Sequence, residues 1–463
     1  MVFSSIIFMF YYLPAVLVGY YLIPAKWRNL WLFAVNLVFY GWGEPVYILL
    51  MLFSITVNYC NGLLIGRYLP DDRKKARRIL TLNIVINLGL LVLFKYSDLL
   101  LGTFNALFGT SLPLLGLSLP IGISFYTFQT MSYPIDVYRG NTRPQKNFIA
   151  FGTFVALFPQ LIAGPIVRYK EIAHQLEDRR YSVAGFSYGV QRFVIGLCKK
   201  VLIANNIGSL WDIYAAESSL TVMGAWLGAV AFSLQLYFDF SGYSDMAIGL
   251  GRMLGFEFPE NFRYPYISKS VTEFWRRWHI SLGTWFRDYL YIPLGGNRKG
   301  LPRQIVNILI VWALTGLWHG ANWTFLFWGL YYALFLIAEK VFLLKFIDKS
   351  RILCHFYTVF VAVFGWMIFQ LNSLSQVSAY WQAMLGIRCA GLFSAADLFR
   401  GKAYCLILLI AAVCATPLLK NLYARLSDRV RGVLTPVLTA LALLASTAYL
   451  VDATYNPFIY FIF

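Results

Sequence analysis

The sequence predicts an all-α polytopic membrane protein, and three observations carry that prediction. Hydrophobic residues make up 59% of the chain and charged residues 13%, against roughly 45–50% and about 25% in a soluble domain. A composition this apolar cannot be covered by a polar surface in water. Apolar runs close to the length needed to cross the hydrocarbon core recur along the chain, giving about 11 spans. The basic residues gather in short loops between those runs, at 67–78, 138–147 and 295–303. That is the loop bias of the positive-inside rule. The net charge of +18 therefore needs no nucleic-acid partner, and no RNA-binding motif accompanies it. The same charge suits attraction of an anionic ligand.

Each element follows in order. Residues 3–23 form a first span with no basic n-region and no small-residue cleavage site, so they read as retained rather than as a signal peptide. A shorter apolar run covers 30–42, and a span at 46–66 is closed by the basic loop 67–78. Residues 79–101 span again, and 118–135 return to the loop at 138–147. Placing the basic loops on one side puts the N-terminus outside and 67–78 in the cytoplasm. Pro159, Gly164 and Pro165 interrupt the segment 149–167. Such a segment loses helix hydrogen bonds and, at membrane depth, must be buried in protein or line a wet cavity. It is expected to be re-entrant or kinked. The charged stretch 168–182 reads as an interfacial helix, and spans follow at 187–209 and 222–250.

Residues 252–303 hold nine basic residues and many aromatics, with no apolar run of spanning length. Helices lying in the interface and partly folded into the protein fit this pattern. Spans resume at 304–340 as two elements broken near 316–322, then at 354–371, 404–419 and 433–451, before the aromatic ending "YNPFIYFIF". The chain reads as one membrane domain, 1–463, with a core at about 118–340 and C-terminal helices at 341–463. No internal repeat supports a transporter built on repeats.

Two motif matches are decoys. "GFSYG" (185–189) fits G-x-S-x-G but lacks the strand that a nucleophile elbow needs. "GLGRMLG" (249–255) resembles a dinucleotide loop but ends a membrane helix, where small residues serve close helix packing. The six cysteines show no CxxC and no spacing with histidine, so they read as buried apolar fillers rather than as a disulfide or metal framework. No metal site is expected.

The candidate chemistry lies in two histidines. His319 sits in "ALTGLWHGANW" (313–323), inside a run that otherwise reads as spanning helix. An ionisable side chain at that depth is costly and marks function by default. Gly316 and Gly320 allow close backbone approach. Asn322, three residues on, is expected on the same helical face, positioned to orient the imidazole or a substrate. A desolvated imidazole stays neutral and can act as general base for a hydroxyl. His279 lies in "EFWRRWHISLGTWFRD" (273–288) among Arg276, Arg277 and Arg287. Interfacial anchoring explains the arginines but not an imidazole. Asp239 and Asp245 sit in an apolar helix, either in structural pairs or facing a cavity. His174 and His355 read as structural.

The stretches "LFPQLIAGPIVRYKE" (157–171), 237–298 and "GLWHGANWTFLFWGL" (316–330) resemble the membrane-bound O-acyltransferase (MBOAT) family, in its bacterial alginate O-acetylation branch. The resemblance implies an MBOAT-type helical bundle with re-entrant and interfacial helices around a tunnel. It implies that His319 is the family's invariant histidine and His279 the second motif histidine. It also implies acetyl transfer from a cytoplasmic thioester donor, acetyl-CoA, to an extracytoplasmic acceptor or an SGNH-type partner for polysaccharide O-acetylation, from a place in the cytoplasmic membrane. Asn322, Asp239, Trp318, Arg276, Arg277 and Arg287 are expected to bind substrate. Two other readings are D-alanyl transfer from a carrier-protein thioester to teichoic acid, and a polysaccharide-precursor transporter or membrane scaffold without catalysis.

Overall fold

The computed structural model describes residues 2–452; the ending "YNPFIYFIF" lies outside them. Every regular element among the described residues is helical. The chain divides into two compact units. One comprises the chain up to Phe193 with Tyr243–Pro259, and the other Val194–Gly242 with the chain from Glu260 onward.

The first unit is built from α1 (Phe8–Leu22), α2 (Arg28–Gly43), α3 (Ile48–Tyr68), α4 (Arg73–Phe108), α5 (Ile123–Tyr138), α6 (Phe148–Ala156), α7 (Phe158–Leu161) and α8 (Tyr169–Glu177). The expected basic loop at 67–78 is corrected here, because most of it is helix. Asp72 caps α4 by accepting the Lys75 N–H at 2.8 Å, and the lysines and arginines that follow are good helix formers. Helix α5 is buried on every side from Ile123 to Val137. Between α3 and α4 the buried amides of Asn58 and Asn87 pair with each other. Asn58 Nδ2 donates to Asn87 Oδ1 at 3.0 Å, and Asn87 Nδ2 donates to the Asn83 carbonyl at 2.8 Å. Away from water such pairing is obligatory.

The expected break in 149–167 is present. Asn147 caps α6 through the Ala150 N–H, and Leu157 leaves the helical region at φ −55°, ψ 105°. Pro159 then sits at the start of α7, where its missing N–H costs nothing. Asn36 Oδ1 accepts the Phe158 N–H at 3.1 Å. The whole stretch from Ala150 to Val167 is buried, so this irregular backbone is shielded as membrane depth requires.

Helices α9 (Val183–Ala215) and α10 (Val222–Met253) are both long enough to span. Ser187 lies inside α9, so the G-x-S-x-G match has no strand before it. The "GLGRMLG" match is a packing device, since a methyl group on Gly249 would sit 2.5 Å from the Gly189 carbonyl oxygen. Asp245 is bound by Arg192 at 2.6 Å.

In the second unit, two short helices, α11 (Val271–Arg277) and α12 (Ile280–Phe286), follow α10. The hairpin α13 (Gly300–His319) and α14 (Trp323–Ala338) comes next, then α15 (Arg351–Gln370) and α16 (Leu374–Met384). The described chain ends with α17 (Ala395–Cys414), α18 (Leu418–Ala424) and α19 (Asp428–Asp452). As expected, 252–303 contains no spanning helix: the segment folds inward, burying Val271, Phe274 and Trp278. These pack in one aromatic core with Trp328, Tyr332 and Trp366.

Among the described residues seven helices are long and apolar enough to cross a membrane, eight if the bent pair α17–α18 counts as one span. The expected larger number included shorter apolar segments such as α1 and α2. The cysteines are unpaired, but they are not uniformly buried fillers. Cys354 is buried and Cys60 and Cys405 are exposed, because in a bilayer a small apolar side chain gains nothing from being turned inward.

Candidate active site

The site begins with the hairpin α13–α14. A side chain on Gly316 would run into the Phe325 backbone, and one on Gly329 into the Trp312 carbonyl. Two glycines thus let the helices touch backbone to backbone. His319 is the last residue of α13. Gly320 then turns extended (φ −163°, ψ 156°), and Asn322 starts α14 as its N-cap. The expectation that His319 and Asn322 share one helical face is therefore corrected. Asn322 Oδ1 accepts the Thr324 N–H at 3.1 Å, and its Nδ2 donates to the Asn372 carbonyl at 3.0 Å. An Asn is a strong helix starter, and the sequence signal for a cap outweighed the continuity of the apolar run.

The His319 ring is 5% exposed. It is boxed edge-on by Trp328 at 5.0 Å and Phe369 at 5.3 Å, with its neighbour Trp318 at 5.0 Å. The same indole also meets His279, whose ring lies 6.1 Å from that of Trp318 and 4.8 Å from Phe240. Both imidazoles, 40 residues apart in sequence, thus contact one indole within one unit.

His279 is the N-cap of α12 and adopts a left-handed backbone, φ 46° and ψ 52°. Such a conformation costs a non-glycine residue on the order of 1 kcal/mol or more. It breaks the α11–α12 run and turns the imidazole inward. Asn261 holds it there: its Oδ1 lies 3.2 Å from His279 Nδ1 and accepts from Ser281 Oγ at 2.9 Å. Burial pulls the His279 imidazole down from its ordinary value to about 3, so the ring is neutral at physiological pH. A buried, neutral imidazole near a second one, walled by aromatic rings, is equipped for proton transfer in a water-poor site.

The family model of the membrane-bound O-acyltransferases matches residues 107–380. The chain belongs to the membrane-bound O-acyltransferase family. It is 41% identical to a probable alginate O-acetylase of Pseudomonas putida, with all of both chains covered. It is 46% identical to one of Azotobacter vinelandii over 83% of this chain and 78% of that one. A peptidoglycan O-acetyltransferase of Helicobacter pylori is 35% identical over 84% of this chain and 80% of its own.

In this acyltransferase the remaining expected residues fall in different places. Asp239 is 1% exposed and is paired with Lys200 at 2.5 Å, the partner that the structural-pair reading calls for. Arg277 pairs with Glu273 at 2.8 Å within α11 and donates to the Arg263 carbonyl. Arg276 is exposed, and Arg287 is exposed beside Asp288. His355 Nδ1 is 3.0 Å from the Ser268 carbonyl, a structural contact as expected, and His174 is exposed. Sequence reasoning missed Asn261, Ser281, Trp328, Phe369 and Glu339. The Glu339 carboxylate, 2% exposed, accepts the Val271 N–H at 2.5 Å, the Thr272 N–H at 2.9 Å and Thr272 Oγ at 2.6 Å. It thereby ties the start of α11 to the end of α14. A lone carboxylate in an apolar run was the available signal.

Proposed function

We propose that the chain is an O-acetyltransferase of the cytoplasmic membrane. It takes an acetyl group from a cytoplasmic thioester, acetyl-CoA, and passes it to an extracytoplasmic hydroxyl or an SGNH-type partner that acetylates a polysaccharide. The observation that carries this reading is the pair of buried imidazoles, each in ring contact with Trp318. The names of the relatives that match most of the chain supply the acyl group.

His319 takes the proton of the acceptor hydroxyl as the oxygen attacks the thioester carbonyl. The tetrahedral adduct collapses, the C–S bond breaks, and the imidazolium returns its proton to the departing thiolate. Acetyl is transferred and the free thiol leaves, with no net proton change. Exclusion of water protects the thioester from hydrolysis. Arg276 and Arg287, exposed near this machinery, and the basic loops attract the phosphates of the donor. Trp318 fixes the spacing of the two imidazoles.

The test is donor choice. Purified protein in liposomes receives acetyl-CoA, or a carrier protein charged with D-alanine, together with polysaccharide and a partner hydrolase-like protein. Acetyl-dependent release of CoA and label on the acceptor support the reading. Transfer from the charged carrier alone replaces it with D-alanylation. Polysaccharide flux without thioester loss replaces it with transport.

A further inference from the structure

We propose that Asn261 is a positioning residue that fixes His279 as the Nδ1–H tautomer, so that Nε2 meets the substrate as a hydrogen-bond acceptor. The proposal rests on the reading that His279 belongs to the acyl-transfer site.

The argument is one of donors and acceptors. The Ser281 backbone nitrogen lies 3.2 Å from the terminal side-chain atom of Asn261. A backbone N–H can only donate, so that atom is the amide oxygen and not the amide nitrogen. Ser281 Oγ approaches the same atom at 2.9 Å. His279 Nδ1 faces this oxygen at 3.2 Å. An oxygen with no hydrogen to give requires a hydrogen on Nδ1. A neutral imidazole carries one N–H, so its lone pair lies on Nε2.

The backbone reinforces the arrangement. The Asn261 carbonyl accepts the Ile280 N–H at 3.0 Å, and the Arg263 N–H donates to the Arg277 carbonyl at 2.9 Å. These bonds clamp the chain on both sides of His279 and hold its left-handed backbone. One residue therefore sets both the direction of the ring and its tautomer.

The chemical consequence divides the labour between the two histidines. His279 accepts an N–H or O–H of donor or acceptor at Nε2. In its resting state it has no proton there to give, so it does not protonate the departing thiolate. That step remains with the imidazolium formed at His319.

The experiment is nitrogen NMR on protein labelled with ¹⁵N-histidine, which contributes only four residues, with His279→Gln assigning the signal. The expected spectrum shows a protonated, pyrrole-type Nδ1 and a pyridine-type Nε2 for His279. An Nε2–H signal overturns the inference and leaves the functional reading standing. Kinetics complete the test. Asn261→Ala should lower kcat by about tenfold or more, as loss of a tautomer-holding partner does, with KM within a few-fold. Asn261→Asp, which keeps the acceptor oxygen, should restore most of it. Wild-type kcat and an unchanged tautomer in Asn261→Ala overturn the positioning role. A His279→Ala variant at full rate, with the wild-type tautomer as expected, removes the functional reading of His279 instead, and the positioning role with it.

Discussion

Replacing Glu339 should loosen the scaffold under His279 by an amount the geometry specifies. Its two carboxylate oxygens receive three donors from the start of α11, at 2.5, 2.9 and 2.6 Å. Hydrogen bonds to charged groups contribute about 1.5–3 kcal/mol each in mutational series, and stranding a buried donor costs about 1–3 kcal/mol. Glu339→Gln keeps one oxygen but turns an amide NH₂ toward an N–H, losing at least one bond; the expected cost is about 2 kcal/mol. Glu339→Ala strands all three donors and should cost about 3–5 kcal/mol, the range seen when one partner of a buried ionic contact is removed. At on the order of 2 °C per kcal/mol for a chain of this size, that is a fall of roughly 6–10 °C in Tm. The assay is thermal unfolding in detergent followed by tryptophan fluorescence, beside acyl transfer measured well below either midpoint. Thr272→Val removes the hydroxyl bond alone, and the double variant shows the coupling. A Glu339→Gln protein that melts within about 1 °C of wild type would refute the reasoning.

Three further outcomes follow from the same geometry. Lys200→Met leaves Asp239 buried without its cation and should destabilise the protein by about 3–5 kcal/mol, while Lys200→Met with Asp239→Leu should recover most of that. Measured by chemical unfolding and transfer rate, an active double variant fits a structural pair, and an inactive but stable one returns Asp239 to the substrate. Gly329→Ala drives a methyl group into the Trp312 carbonyl. Because the obstacle is backbone, the hairpin must open at a cost of about 1–3 kcal/mol, seen as a lower Tm; an unchanged Tm contradicts the backbone contact. His279 is held by burial at about 3, against an ordinary value of about 6.5 in an unfolded chain. Between those values the unfolded chain binds more protons, so stability rises with pH across the window and falls as pH drops from 6.5 toward 3. The Tm of His279→Gln should therefore fall less between pH 7 and pH 5 than that of wild type, and equal falls would count against a buried neutral ring.

Much of the architecture is legible because bilayer physics is written in composition. The break at Pro159, the hairpin break after His319 and the folded-in segment around α11 and α12 all announce themselves as interruptions of apolar runs. Helix ends were less legible. Asp72 and Asn322 are caps, and reading them as loop or helix interior misplaced the start of α4 and the face of Asn322. His319 stands out because a titratable ring in an apolar run is rare, and His279 because interfacial anchoring accounts for its arginine neighbours but not for an imidazole. Their surroundings do not: Phe369 reaches His319 from α15, and Asn261 reaches His279 from the stretch before α11, through contacts that only tertiary folding creates. For Asp239 the sequence shows only the carboxylate in a membrane helix, and the Lys200 partner at 2.5 Å comes from the fold.

The central claim is that the imidazole of His319 moves the proton in acyl transfer. The most direct measurement is a single-turnover transfer from labelled acetyl-CoA by His319→Ala, with helical circular dichroism and Tm confirming that the variant folds. The account predicts that CoA release and acceptor labelling fall by at least about a hundredfold, as expected when a general base is removed, with the fold intact. A folded His319→Ala protein that transfers acetyl at the wild-type rate would contradict it.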